Sequence, residues 1–123
     1  MKEQAKKKIL ILEDEKPLAH ALELKLTHEG FEVITTDNGE MGVSILEKET
    51  FDLVLSDLII PGLDGFGVLE RIKTKKIKAP VIVMTNLNQE EDKQRAYDLG
   101  AVDFFVKSNS TLSEIVEAVK KKI

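Results

Sequence analysis

Cysteine is absent from this chain, which excludes disulfides, thiolate catalysis and cysteine metal sites. Long apolar runs are missing too. The amino terminus, Met1 to Lys8, is polar and lysine-rich, with no stretch behind it long enough for a secretion signal or a membrane span. A cytoplasmic protein that does not enter membranes is therefore expected. A dominant positive field is also lacking: 18 Lys and Arg stand against 22 Asp and Glu, for a net charge of -4, which argues against a general nucleic-acid binder. The basic clusters at Lys6 to Lys8, Lys73 to Lys78 and Lys120 to Lys122 are interleaved with or followed by apolar residues, as solvated strand and helix ends are. Nothing reads as a linker, a low-complexity tract or a solenoid repeat.

What is present suits one compact unit. The 123 residues, 42% of them hydrophobic, suffice for a single core and are too few for two, so one domain is expected over residues 1–123, with a polar tail at 1–7. The sequence ends at Ile123, directly after its last predicted helix, and shows no effector domain; a stand-alone unit and a piece of a longer chain both remain open.

A five-fold alternation runs along the sequence. Lys8 to Leu12 is a continuous apolar run of the kind buried on both faces of a sheet, and it ends in Glu13 and Asp14. Pro17, Leu18, Ala21, Leu22 and Leu26 then show helical spacing, closed by Gly30 as a carboxyl-terminal cap. Phe31 to Thr36 predicts a second strand, and Asp37, Asn38 and Gly39 are turn residues before a shorter helix carrying Met41, Val43, Ile45 and Leu46. Phe51 to Ser56 predicts a third strand running into Asp57, followed by a Pro61-Gly62 and Asp64-Gly65 loop and a helix with Val68, Leu69 and Ile72. Pro80 to Met84 predicts a fourth strand running into Thr85. The next helix opens on a capping box of Asn88 and Glu91 and ends near Gly100. Val102 to Val106 predicts a fifth strand ending at Lys107, and Thr111 with Glu114 forms a second capping box before a final helix. Strands alternating with helices in this way predict a parallel five-stranded sheet wrapped on both faces, an α/β fold of three layers.

In such a sheet the carboxyl ends of the strands share one edge, where ligands bind. Glu13, Asp14, Asp57, Thr85 and Lys107 all fall at those ends and so are expected in one crevice. Three crowded carboxylates repel one another unless a hard cation lies among them, and oxygen-only ligation favours magnesium or manganese over zinc. Beside such a cation an Asp oxygen can attack phosphorus. Asp57 is the best nucleophile, because Glu13 and Asp14 are adjacent and form a ligand pair. Lys107 would offer a point charge to a phosphoryl group, and Thr85 a hydroxyl. Each of these residues alone reads more readily as a cap, a loop acid or a surface charge; the case rests on their joint placement. His20 and His28 lack a metal-spaced partner and are assigned no role, Glu90, Glu91 and Asp92 suit the start of a helix, and one of the consecutive Phe104 and Phe105 is expected in the core.

These motifs resemble, over essentially the whole chain, the receiver domains of two-component response regulators. Ile9 to Glu15 looks like that family's first-strand acidic motif, Asp57 to Gly65 is similar to its phosphorylation signature, and Gly100 to Lys107 resembles its closing lysine motif. The resemblance implies a flavodoxin-like (βα)5 fold and transfer of phosphate from a histidine kinase, a phosphotransfer protein or a small phosphodonor to Asp57. It implies magnesium held by Glu13, Asp14, Asp57 and the backbone carbonyl of Ile59, with self-catalysed hydrolysis ending the signal, a phosphoacceptor more than a turnover enzyme. It further implies a switch through Thr85 and Phe104 to a face formed by the fourth helix, fifth strand and fifth helix, where a downstream protein or a second copy would bind. Three positions depart from the family pattern. Glu13 replaces a common Asp. Asn86 stands where a very small residue is usual and is expected to crowd access to Asp57. Ser108 replaces a proline, and a trans bond is expected before it. A pseudo-receiver that never carries phosphate is the main rival reading. A flavin-binding or haloacid-dehalogenase-like domain fits poorly, since acids follow the first strand and no second Asp stands two residues after Asp57.

Overall fold

The computed structural model describes residues 6–123, so of the tail expected at 1–7 all but Lys6 and Lys7 lies outside it. The alternation holds in full. In chain order the elements are β1 (Lys8–Leu12), α1 (Lys16–His28), β2 (Glu32–Thr36), α2 (Gly39–Lys48), β3 (Leu53–Ser56), α3 (Gly65–Thr74), β4 (Val81–Thr85), α4 (Glu90–Asp98), β5 (Asp103–Val106) and α5 (Leu112–Lys122). The strands form one parallel sheet in the order β2-β1-β3-β4-β5.

Alternation within the apolar runs builds two cores, because successive strand side chains face opposite sides. Leu10, Leu12, Val54, Val81 and Val83 pack with α2 and α3 residues such as Val43, Leu46, Val68 and Leu69, and with Ala96 of α4. Ile9, Ile11, Leu53, Leu55, Ile82 and Met84 pack with Leu22 and Leu26 of α1 and Ile115, Val116 and Val119 of α5. A strand sandwiched in this way needs apolar residues at every position, hence the unbroken runs in the sequence.

Side-chain chemistry sets the starts of α2, α3 and α5, whereas α1 opens at Glu15 without a side-chain bond and with Pro17 in its first turn. Asn38 and Asp64 accept the amides of Met41 and Gly67 at 3.1 and 2.8 Å, capping α2 and α3. Thr111 and Glu114 exchange both bonds of the expected capping box on α5. The box expected at Asn88 and Glu91 does not form. Gln89 is the cap of α4, its side chain makes no capping bond, and its carbonyl takes the amides of Asp92 and Lys93. The helix starts one residue later than the motif implied, and Glu90, Glu91 and Asp92 in its first turn complement the helix dipole without a side-chain cap. Gly30 closes α1 with φ +98°, a left-handed conformation that glycine adopts without a Cβ penalty. Among the described residues no helix is long and apolar enough to cross a membrane.

Candidate functional site

The strand order reverses direction between β1 and β3, and the residues leaving those two strands meet there. Leu12 pairs with Ser56 in register, and the Asp57 amide donates to the Leu12 carbonyl at 3.0 Å, which sets Glu13 beside Asp57. Both acids are buried, Glu13 at 2% exposure and Asp57 at 5%, whereas Asp14 is exposed. The β3–α3 loop folds tightly over Asp57. The Ile59 amide donates to Asp57 Oδ1 at 3.1 Å, and the Gly65 amide donates to the Leu58 carbonyl at 2.9 Å. A Cβ on Gly65 would lie 2.3 Å from the Asp57 carbonyl oxygen, so only glycine lets α3 start this close to the acid.

Lys107 leaves the end of β5 and reaches into this acidic pocket. Its ammonium lies 2.6 Å from Asp57 Oδ2, 2.7 Å from Glu13 Oε1 and 3.4 Å from Glu15 Oε1. Burial on its own would lower the Lys107 pKa, but the hydrogen bond to Asp57 and the negative charge of Asp57 and Glu13 outweigh it and hold the ammonium above its usual value. Burial pushes the Glu13 carboxyl above the ordinary glutamate value, against the pull of Lys107 and of the Glu15 amide, which donates to Glu13 Oε2 at 2.9 Å. One cation thus faces several carboxylates, and they are left incompletely compensated. Glu13 Oε1 has charge contact with Lys107, yet this buried oxygen receives no aligned hydrogen bond.

The remaining expected residues gather at the same edge. Thr85, fully buried, ends β4, and its hydroxyl accepts the Leu87 amide at 3.3 Å. Phe104 and Phe105 are both half-buried and each packs against one core, so the pair contributes to both sides of the sheet and neither is covered completely. The reason lies in topology: β5 is an edge strand, covered less completely than the central ones. Asn86 is exposed, and its side-chain oxygen accepts the Ser108 amide at 3.1 Å. The Lys107–Ser108 bond is trans. Glu15 was missed as a site residue by the sequence reading. It is the N-cap position of α1 and contacts Lys107 from there; its place within the acidic motif was the only signal available.

The donor set fits a hard divalent cation. Carboxylate oxygens of Glu13, Asp14 and Asp57 lie within 4.8 Å of one another, all donors are oxygen, and Glu13 Oε1 is buried with a free lone pair. Small octahedral cations retain water ligands, and the exposure of Asp14 leaves the cluster open on one side.

Comparison with known proteins gives a consistent result. The family model described as the response regulator receiver domain matches residues 9–120. The cell cycle response regulator CtrA of Brucella ovis is 35% identical over 100 residues, which is 81% of this chain but 43% of that protein, so the chain spans less than half the length of the curated relatives it matches. A receiver domain of a signal transduction histidine kinase from Syntrophus aciditrophicus superimposes with a TM-score of 0.84 at 30% identity, covering 94% of this chain and 89% of that one. The receiver domain of a sensor histidine kinase from Pseudomonas aeruginosa, with a magnesium ion coordinated in its active site cleft, has the same fold at a TM-score of 0.84 and 24% identity, over 95% of this chain and 97% of that one.

Proposed function

Since the chain belongs to the response regulator receiver domain family, we propose that it is a phospho-accepting signalling module in which Asp57 takes a phosphoryl group from a histidine kinase, a phosphotransfer protein or a small phosphodonor. The observation that carries this reading is the Asp57 carboxylate held between the Ile59 amide and the Lys107 ammonium, beside two further acids able to bind a cation. A carboxylate oxygen of Asp57 forms the new P–O bond, while the P–N or P–O bond to the donor breaks and its electron pair leaves with the donor. Magnesium, held by Glu13, Asp14 and Asp57 with the carbonyl of Ile59 as a further ligand, would supply charge neutralisation at the phosphoryl oxygens. Lys107 is already positioned by Asp57 and Glu13, and it pairs with the incoming phosphate in their place. The Thr85 hydroxyl, which among the described residues is engaged only by the Leu87 amide, would turn toward the phosphate as a donor. Water acting on the acyl phosphate later ends the state, so the protein is its own phosphatase and not a turnover enzyme.

The same geometry supports a reading of the output. Thr85 ends β4 and Phe104 lies on β5 beside it, in register with Val83. A shift of the hydroxyl toward phosphate opens space that Phe104 can fill by packing, which biases the face formed by α4, β5 and α5 between two states. That face would receive a downstream protein or a second copy.

Incubation with magnesium and acetyl phosphate, followed by intact mass measurement, tests the reading. One added phosphate in the wild type and none in Asp57→Asn is the expected result. An unmodified wild type would leave the fold with a phosphate-independent interaction role.

A further inference from the structure

The Asn86–Ser108 contact joins the loops that follow β4 and β5, and among the described residues it is the one hydrogen bond between them. Thr85 and Val106 are the last paired residues of β4 and β5. Just beyond them the Asn86 side-chain oxygen takes the Ser108 backbone amide at 3.1 Å, in effect one more rung across the two strand ends. Lys107 to Asn109 forms a single 3-10 turn, closed by a weak bond of 3.4 Å from the Ser110 amide to the Lys107 carbonyl. No other side-chain bond to a backbone group of that turn occurs among the described residues.

We propose that Asn86 is a positioning residue for Lys107. By fixing the amide that follows Lys107, it holds the 3-10 turn against the end of β4 and so keeps the ammonium within reach of Asp57 and Glu13. It also ties Thr85, its chain neighbour, to Lys107, so that the two groups assigned to the phosphate move as one piece. Residue 108 has to carry an N–H for this, which serine supplies and proline cannot. A proline at 108 would further push Lys107 out of the helical conformation that the turn requires. The inference deepens the phospho-acceptor reading and rests on it for its kinetic consequence.

Three variants of an exposed residue separate positioning from mere bulk. Asn86→Leu keeps the volume without the acceptor, Asn86→Ala removes both, and Asn86→Asp keeps the acceptor. With acetyl phosphate and magnesium, Leu and Ala are expected to slow Asp57 phosphorylation by about five-fold, the scale of one net hydrogen bond. Amide exchange at Ser108 is expected to be protected in the wild type and in Asn86→Asp, and unprotected in Asn86→Ala and Asn86→Leu. The Lys107 ammonium signal in nitrogen-15 spectra should broaden in the same two variants. Wild-type rates in Asn86→Leu with faster phosphorylation in Asn86→Ala would assign Asn86 to crowding and overturn the proposal, as would unchanged Ser108 exchange or an unchanged Lys107 signal in Asn86→Ala. A wild type that takes no phosphate refutes the functional reading instead, while the exchange and ammonium signals still decide whether the clip positions Lys107.

Discussion

At the scale of single residues, the chain keeps unfavourable charge at its centre. The buried Glu13 and Asp57 and the exposed Glu15 face one ammonium, that of Lys107, and burial pushes the Glu13 carboxyl above the ordinary glutamate value. Such an arrangement costs stability, because a buried charge without full compensation is expensive. Lys107 is what makes it tolerable in the absence of a cation. Truncation by Lys107→Ala should therefore lower folding stability by about 3 kcal/mol or more, as expected for a buried pair losing one partner. Magnesium should restore part of that loss, since a ligand that binds only the folded state stabilises it. Thermal melts of wild type and variant, with and without magnesium, check both statements; a variant as stable as the wild type would show that the pocket is more hydrated than its burial implies. The participants were legible in the sequence because each acid, hydroxyl or ammonium stands at the end of an apolar run. The pairing of Asn86 with Ser108 was not legible. They lie 22 residues apart on two different loops, and only the register of β4 against β5 brings them together.

At the scale of elements, local chemistry set most boundaries. Asn38, Asp64 and Thr111 each stand before a helix and each caps it through its own oxygen. Of these, Thr111 carries the most, since α5 supplies Ile115, Val116 and Val119 to the second core and its box satisfies two backbone groups. Thr111→Ala should cost about 1 kcal/mol, a fall of several degrees in melting temperature for a domain of this size, whereas Thr111→Ser should cost much less. Equal loss in both variants would contradict the capping account. The start of α4 shows how a motif misleads. Asn88 and Glu91 have the right spacing, but the helix begins from the Gln89 carbonyl, and three acids in its first turn supply electrostatic support that needs no cap. A four-residue pattern carries no information about where the preceding loop releases the chain.

At the scale of the molecule, the apolar runs gave away a parallel sheet but not its order. Continuous hydrophobicity in β1, β3 and β4 marks the strands covered on both faces, and these are the three central ones. The runs of β2 and β5 are interrupted by Glu32, Thr35 and Asp103, which suits the two edges. Nothing in either pattern dictates that the chain turns back from β2 across β1 to β3, and that crossing creates the crevice in which Glu13 and Asp57 meet. The order is a long-range outcome of packing five helices as three on one face and two on the other. Under the proposed function, this crossing makes Asp57 a phosphate acceptor. The most direct test of that role is to treat the protein with acetyl phosphate and magnesium, trap the acyl phosphate chemically, and map the label by peptide sequencing. The label should fall on Asp57 alone and vanish when magnesium is chelated; label on any other residue, or label indifferent to the metal, would contradict it.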